Sequence, residues 1–187
     1  MKWKKLLFRK TRERPEEPKY SVPKIKAETD CEIRTAVFGD LEAINKIDKT
    51  CFGEGAFDFG YAVDSSDYET FVAEKKGFGI VGFAAIEIYP EHDADQAYNT
   101  LIGEIPKSGV VYVMTLDVLP EFRRRGIGLK LMRAIEDASN TEIRLHVAVA
   151  NEPALLLYGK SGFRKTGFRH DAYGDGKHAF LIKKELA

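Results

Sequence analysis

The stretch that most constrains this 187-residue chain lies near its middle. Strand-like VVYVMTLDV (110–118) passes Leu119 and Pro120 into Arg123-Arg124-Arg125-Gly126-Ile127-Gly128, and amphipathic LKLMRAIEDA follows. β-Branched and aromatic residues favour an extended strand, and Pro120 cannot continue its ladder. Leu129, Met132, Ala134 or Ile135 and Ala138 recur at helical spacing, which predicts a helix from 127 to 139 with these residues toward a sheet. A helix's first turn leaves N–H groups unpaired, and its aligned dipoles add partial positive charge there. Glycines at 126 and 128 remove the Cβ atoms that would hold an anion off the backbone, and three arginines raise the local potential. The turn reads either as a pyrophosphate cradle or as a loop of solvated charges. Its glycine spacing is not that of a dinucleotide turn, and G-x-x-x-x-G-K-[ST] occurs nowhere in the chain. A diphosphate carrying a pantetheine arm is then the ligand to consider.

The flanking segments predict an α/β chain with a mixed sheet. CEIRTAV is a first strand, after which Asp40 is expected to cap a helix with Leu41, Ile44, Ile47 and Cys51 on one face. FGEGAFDFGYAVD is loop-like, either a substrate wall or an aromatic lid on the core, and a short helix is expected near 65–71. FVAEK, a turn at Gly77 and GIVGFAAIEIY form an antiparallel hairpin. The 90–109 connection is longer than a hairpin normally uses, and it is expected to shape specificity or an oligomer contact. IRLHVAVA predicts a buried parallel strand, Asn151 caps the helix after it with Pro153 in the first turn, and RKTGFRHDAY and HAFLIKKEL close the sheet around GDGK. Alternation puts Tyr112, Met114 and Leu116 on one face of their strand and Arg144, His146 and Ala148 on one face of theirs, so that adjacent strands could join 112 to 146.

Charge divides the chain. Lys/Arg and Asp/Glu each total 29, yet residues 1–26 hold ten of the former against three glutamates. Residues 1–30 therefore read as a basic arm and 31–187 as one domain. The arm, with Trp3, Leu6, Leu7 and Phe8, suits contact with RNA, a ribosome or an anionic membrane, or folding back on the acidic body. Its apolar run is too short for an export signal, and no run is long enough to span a bilayer. Cys31 and Cys51 lack metal spacing, and His92, His170 and His178 make no metal set with His146. Reduced thiols and a cytoplasmic location are the expectation.

R/Q-x-x-G-x-G/A after a strand is the acetyl-CoA signature of the GNAT superfamily of N-acetyltransferases, and residues 123–128 resemble it throughout. HVAVANEPALLLYGKSGF (146–163) resembles that family's second cofactor segment, in which a strand, an Asn and a helix with an inward Tyr precede Gly-Phe. The resemblance covers roughly residues 31–186. It implies a mixed sheet of six to seven strands, splayed between the fourth and fifth, with about four flanking helices. Acetyl-CoA is then the co-substrate, with no metal. Backbone groups of Leu116 and Val118 take the pantetheine and pyrophosphate arm, and Arg123, Arg124, Arg125, Gly126, Ile127 and Gly128 hold the diphosphate. Asn151 and Tyr158 face the pantetheine end.

The reaction so implied is attack of a neutral amine on a thioester. It needs a base, a donor to the oxyanion, which a backbone N–H of the splayed strand can supply, and a proton for the departing thiolate, which Tyr158 can supply. An α-amine with a pKa near 8 is about a tenth neutral at pH 7, whereas a lysine near 10.4 is well under a thousandth neutral. YVMTLDVLPEFRRRGIGLKL and LHVAVANEPALLLYGKSGF further resemble NatE-type protein N-terminal acetyltransferases. There a strand Tyr and a strand His handle the amine proton, and the matching positions are Tyr112 and His146. A bacterial relative that acetylates a ribosomal protein has Glu at the latter. Tyr173 matches a tyrosine that closes over the peptide, although Ala172 departs from the usual Tyr-Tyr pair. Phe52 matches a substrate-wall residue, although Gly53 and Glu54 depart from the Pro-Val that follows it. The acceptor implied is a protein or peptide N-terminus, with a small amine or a lysine side chain as the alternative, and a CoA-binding or ribosome-associated module as the non-enzymatic one.

Overall fold

The computed structural model describes residues 30–53, 59–64, 66–89, 110–139 and 141–186. The basic arm, the 90–109 connection and residues 54–58 of the aromatic loop lie outside them. Seven strands form one sheet: β1 (Cys31–Thr35), β2 (Tyr68–Lys75), β3 (Gly79–Ile88), β4 (Val110–Val118), β5 (Glu142–Ala148), β6 (Arg164–Arg169) and β7 (Ala179–Glu185). Their order is β1-β2-β3-β4-β5-β7-β6, so the last strand lies between the two before it. The β4–β5 pairing is parallel and every other is antiparallel. The described helices are α1 (Leu41–Phe52), α2 (Gly60–Asp64), α3 (Ile127–Ala138) and α4 (Glu152–Lys160), beside two short 3-10 turns.

The helices cover opposite faces. On one, Ile127, Leu131, Met132 and Ile135 of α3 and Tyr158 of α4 pack against Val111, Val113, Ile143, Leu145 and Val147. On the other, Ile44 and Ile47 of α1 and Ala62 of α2 pack against Val72, Phe83 and Ala85. The stripe of α3 is buried at Met132 and Ile135 as expected, with Ala134 and Ala138 packed beside it, and differs at its start, where Leu131 is fully buried and Leu129 only half-buried. The apolar sequence LKLM offers both positions, and the angle at which the helix leaves its turn chooses between them.

Three other expectations are corrected. The helix expected near 65–71 lies at Gly60–Asp64, inside the stretch read as a loop, and Tyr68 already belongs to β2. Asp40 precedes α1 without a side-chain cap on it. Its carboxylate accepts from Arg34 at 2.7 and 3.0 Å and from the Val37 N–H at 2.9 Å, closing the 3-10 turn instead. The salt bridge holds Asp40 below the usual carboxylate range. Finally, β5 buries only alternate residues, Ile143, Leu145 and Val147, because no described helix covers its other face and only three of its residues pair with β4.

That short pairing matters most. β4 and β5 run side by side at Val110–Glu142, Val111–Ile143 and Tyr112–Arg144, and then separate. Directly beyond, β4 carries a bulge against β3, where Ile86 opposes Val113, Ala85 opposes Thr115 and Met114 is extra. A bulge bends and twists its strand, and here it turns β4 away from β5. The extra residue also reverses the alternation, so Leu116 joins Val113 on the α3 side while Thr115 and Asp117 stay on the α1 side with Tyr112. The expected sharing of one face by Tyr112, Met114 and Leu116 fails for this reason.

Candidate active site

At the mouth of the β4–β5 wedge, the turn from Arg123 to Gly126 alternates backbone hand. Arg123 is extended, Arg124 has φ of 63°, and Gly126 has φ of 86° and ψ of 0°. Left-handed residues interleaved with ordinary ones aim successive N–H groups into one concavity, a form suited to an anion. Non-glycine residues rarely adopt such a φ. Arg124 is held there between the strand end and the α3 N-terminus. Gly128 serves a different purpose, because a Cβ on it would stand 3.3 Å from Leu157 Cδ2 and 3.6 Å from Leu116 Cδ2. Its absence lets α3, α4 and β4 close around the base of the wedge.

The arginines are not three equal claws. Arg123 turns back, with Nε donating to the Val118 carbonyl at 2.8 Å and Nη2 to Cys51 Sγ at 3.4 Å. Arg125 donates to the Glu121 carbonyl at 3.0 Å and covers the Phe122 ring. Both side chains brace the turn, so what it offers an anion is its backbone N–H groups, the Arg124 side chain and the summed charge. Asn151 caps α4 as expected, its side-chain oxygen accepting from the Ala154 N–H at 3.2 Å.

Tyr112 and His146 meet. The phenol oxygen lies 2.6 Å from Nδ1, on the face opposite α3 and α4. Burial, then the neighbouring Tyr173, raises the Tyr112 pKa above the ordinary phenol value, while burial, helped by Arg169, lowers that of His146. Both groups are therefore neutral at physiological pH. His146 Nε2 is buried with no partner among the described residues. Tyr158 projects from α4, packs edge-on to Phe163 with centroids 5.5 Å apart, and is raised by burial first and then by Asp117. Tyr173, on the β6–β7 connection, is 51% exposed and acts electrostatically on both Tyr112 and Tyr158. Phe52 ends α1 and is 65% exposed.

Several residues that the sequence reading did not single out surround the pair. A cavity of about 100 Å³ is lined by Tyr112, Arg144, His146, Thr166, Leu181 and Lys183, among others. Arg144 bonds Glu142, and Lys183 Nζ lies 2.7 Å from Glu142 and 3.0 Å from Glu185. Asp117 is buried under α1, accepts from Thr115 Oγ1 at 2.6 Å, and has a pKa pushed up to about 6, chiefly by burial. The only sequence signal for Arg144 is its place two residues before His146. Lys183 gives none, because a lysine on a closing strand is ordinary.

The family model for the acetyltransferase (GNAT) family matches residues 41–163. An N-alpha-acetyltransferase of Sulfurisphaera tokodaii is 32% identical over 161 residues, covering 82% of this chain and 92% of that protein. Among solved structures, Arabidopsis thaliana NAA60 in complex with acetyl-CoA superposes with a TM-score of 0.69 at 22% identity, over 83% of this chain and 98% of that one. The ribosomal-protein-S18-alanine N-acetyltransferase from Escherichia coli superposes with a TM-score of 0.66 at 19% identity, over 84% and 94%. These two likenesses concern the fold. With the splayed strands, the alternating turn and a family model that matches across both, the chain is a member of the GNAT family of acetyltransferases.

Proposed function

We propose that this acetyltransferase moves the acetyl group of acetyl-CoA onto the α-amine of a protein or peptide N-terminus. The observation that carries the reading is the neutral Tyr112–His146 pair, 2.6 Å apart, at the edge of the wedge. The relatives named N-alpha-acetyltransferase agree with it. Bound acetyl-CoA would supply the electrophilic acyl carbon and a thiolate leaving group. The open backbone of β4 beyond Tyr112, including Leu116 and Val118, suits the amides of pantetheine, and the N–H groups of residues 123–128 suit the diphosphate.

On the acceptor side, Tyr112 donates its hydroxyl hydrogen to His146 Nδ1. The phenol oxygen can then take a proton from the amine while its own passes to the imidazole. This relay needs a neutral His146, and burial keeps it neutral. The Tyr158 phenol, held protonated by its raised pKa, is the proton source for the leaving thiol. Tyr173 and Phe52 line the approach. RNA or ribosome contact through residues 1–26 is a separate proposal resting on their ten Lys/Arg. Salt-dependent RNA retention that vanishes on deleting them would test it.

The decisive experiment combines two measurements. Acetyl-CoA at a hundred times its Kd should stabilise the protein by about 2.7 kcal/mol, and peptides should be acetylated at the α-nitrogen, located by fragment mass spectrometry. Acetylation confined to polyamines or lysine side chains would overturn the N-terminal reading.

A further inference from the structure

The β5–β7 ladder arranges charge in order of distance from the Tyr112–His146 pair. His146 stands opposite Leu181, Arg144 opposite Lys183, and Glu142 opposite Glu185. Each step is two residues, roughly 7 Å along the strands. The cations are therefore nearest the pair, and the glutamates hold them from behind. Lys183 reaches Glu142 at 2.7 Å and Glu185 at 3.0 Å, and Arg144 is bonded to Glu142. Both cations line the cavity that also contains Tyr112, His146 and Thr166. Arg169 of β6 adds its positive charge at the imidazole of His146.

We propose that this cavity is the subsite for the acceptor's leading side chains, and that it selects N-termini with an aspartate or glutamate at the first or second position. The inference rests on the reading above and supplies the acceptor class which that reading leaves open. An amine placed at the Tyr112–His146 pair puts its first side chains beside the strands that carry Arg144 and Lys183. A carboxylate there meets two cations fixed by their own ion pairs, so little side-chain freedom is lost on binding. A lysine or arginine meets like charge in a confined space. The same cations favour the unprotonated amine, which is the nucleophile.

The test is a peptide panel acetylated by the full chain, with Asp, Glu, Ser, Ala, Leu, Phe or Lys placed in turn at positions one and two. The expected result is a kcat/KM for acidic peptides on the order of tenfold above that for lysine peptides, shrinking as salt is added. Lys183→Gln should bring the acidic-to-basic ratio close to one, and Lys183→Glu should reverse it. Melting curves for each variant would report its folding, and the wild-type ratio stands without them. Acetylation of all peptides with no charge preference overturns the subsite and leaves N-terminal acetylation intact. An acidic preference that survives Lys183→Gln, or a loss equal for every peptide, also overturns it. Failure of the wild type to acetylate any peptide removes both readings.

Discussion

Tyr112 on β4 and His146 on β5 share a 2.6 Å hydrogen bond, although the ladder between their strands ends at Tyr112 and Arg144. The bond spans the point where the two strands begin to part. It ties the last paired position to the first unpaired turn of the wedge, so the proposed proton relay and the cofactor opening share one boundary.

Cutting the relay at either residue should give the same defect. Tyr112→Phe and His146→Ala are each expected to lower kcat by about 10²- to 10⁴-fold with little change in acetyl-CoA affinity. The double variant should be hardly worse than either single one, because the two act as a unit. Steady-state rates alongside ligand-induced melting shifts check this, and additive losses would mean that the residues act independently.

On the proposed relay, the lowered pKa of His146 should set the acid side of the pH profile. The proposed relay requires the neutral imidazole, so kcat should rise with pH through a value below the ordinary histidine pKa and be independent of that group by neutrality. His146→Gln should abolish this limb. A limb unchanged in that variant would assign it to another residue.

Asp117 makes a stability prediction of opposite sign to a surface carboxylate. Its folded pKa of about 6 exceeds the unfolded value, so the native state holds the proton more tightly. The stabilisation is complete below the unfolded pKa and is lost as pH rises through about 6. Above that, a buried charge costs about 1–3 kcal/mol. Asp117→Asn keeps an acceptor for Thr115, and should raise Tm at pH 8 and lose that advantage near pH 4. Equal melting shifts at both values would show that ionisation is not the cause.

Gly126 occupies a backbone region that costs a side-chain-bearing residue about 1–2 kcal/mol. Gly126→Val should therefore unwind the start of α3 and weaken acetyl-CoA binding about tenfold or more, as that free energy implies. The concentration dependence of the acetyl-CoA melting shift reads this directly. An unaltered curve would mean that the turn tolerates right-handed geometry.

Much of this site could be read from residues in order. The strand, turn and helix around Arg123–Gly128, the cap at Asn151 and the pairing of positions 112 and 146 follow from local chemistry and from the resemblance of two segments to one family. What escaped depends on neighbours distant in sequence. The bulge at Met114 exists because β4 must pair with β3 while leaving β5, and nothing in VYVMTLDV marks which residue will be extra. Arg123 and Arg125 look like ligands until Val118 and Glu121 offer their carbonyls. Asp40 looks like a helix cap until Arg34, six residues earlier, claims its carboxylate.

The sheet order carries a consequence for how the protein is made. β7 (Ala179–Glu185) stands between β5 and β6, so β6 has no partner in the sheet until β7 is laid down. A ribosome that has emitted residues 1–178 has delivered the turn, the tyrosine and the histidine, yet not the strand that holds Leu181 and Lys183 against them. On the proposed roles, acetyl transfer by a newly synthesised copy awaits residues 179–185, and a cut before Ala179 would disable the acceptor side while leaving the cofactor turn intact.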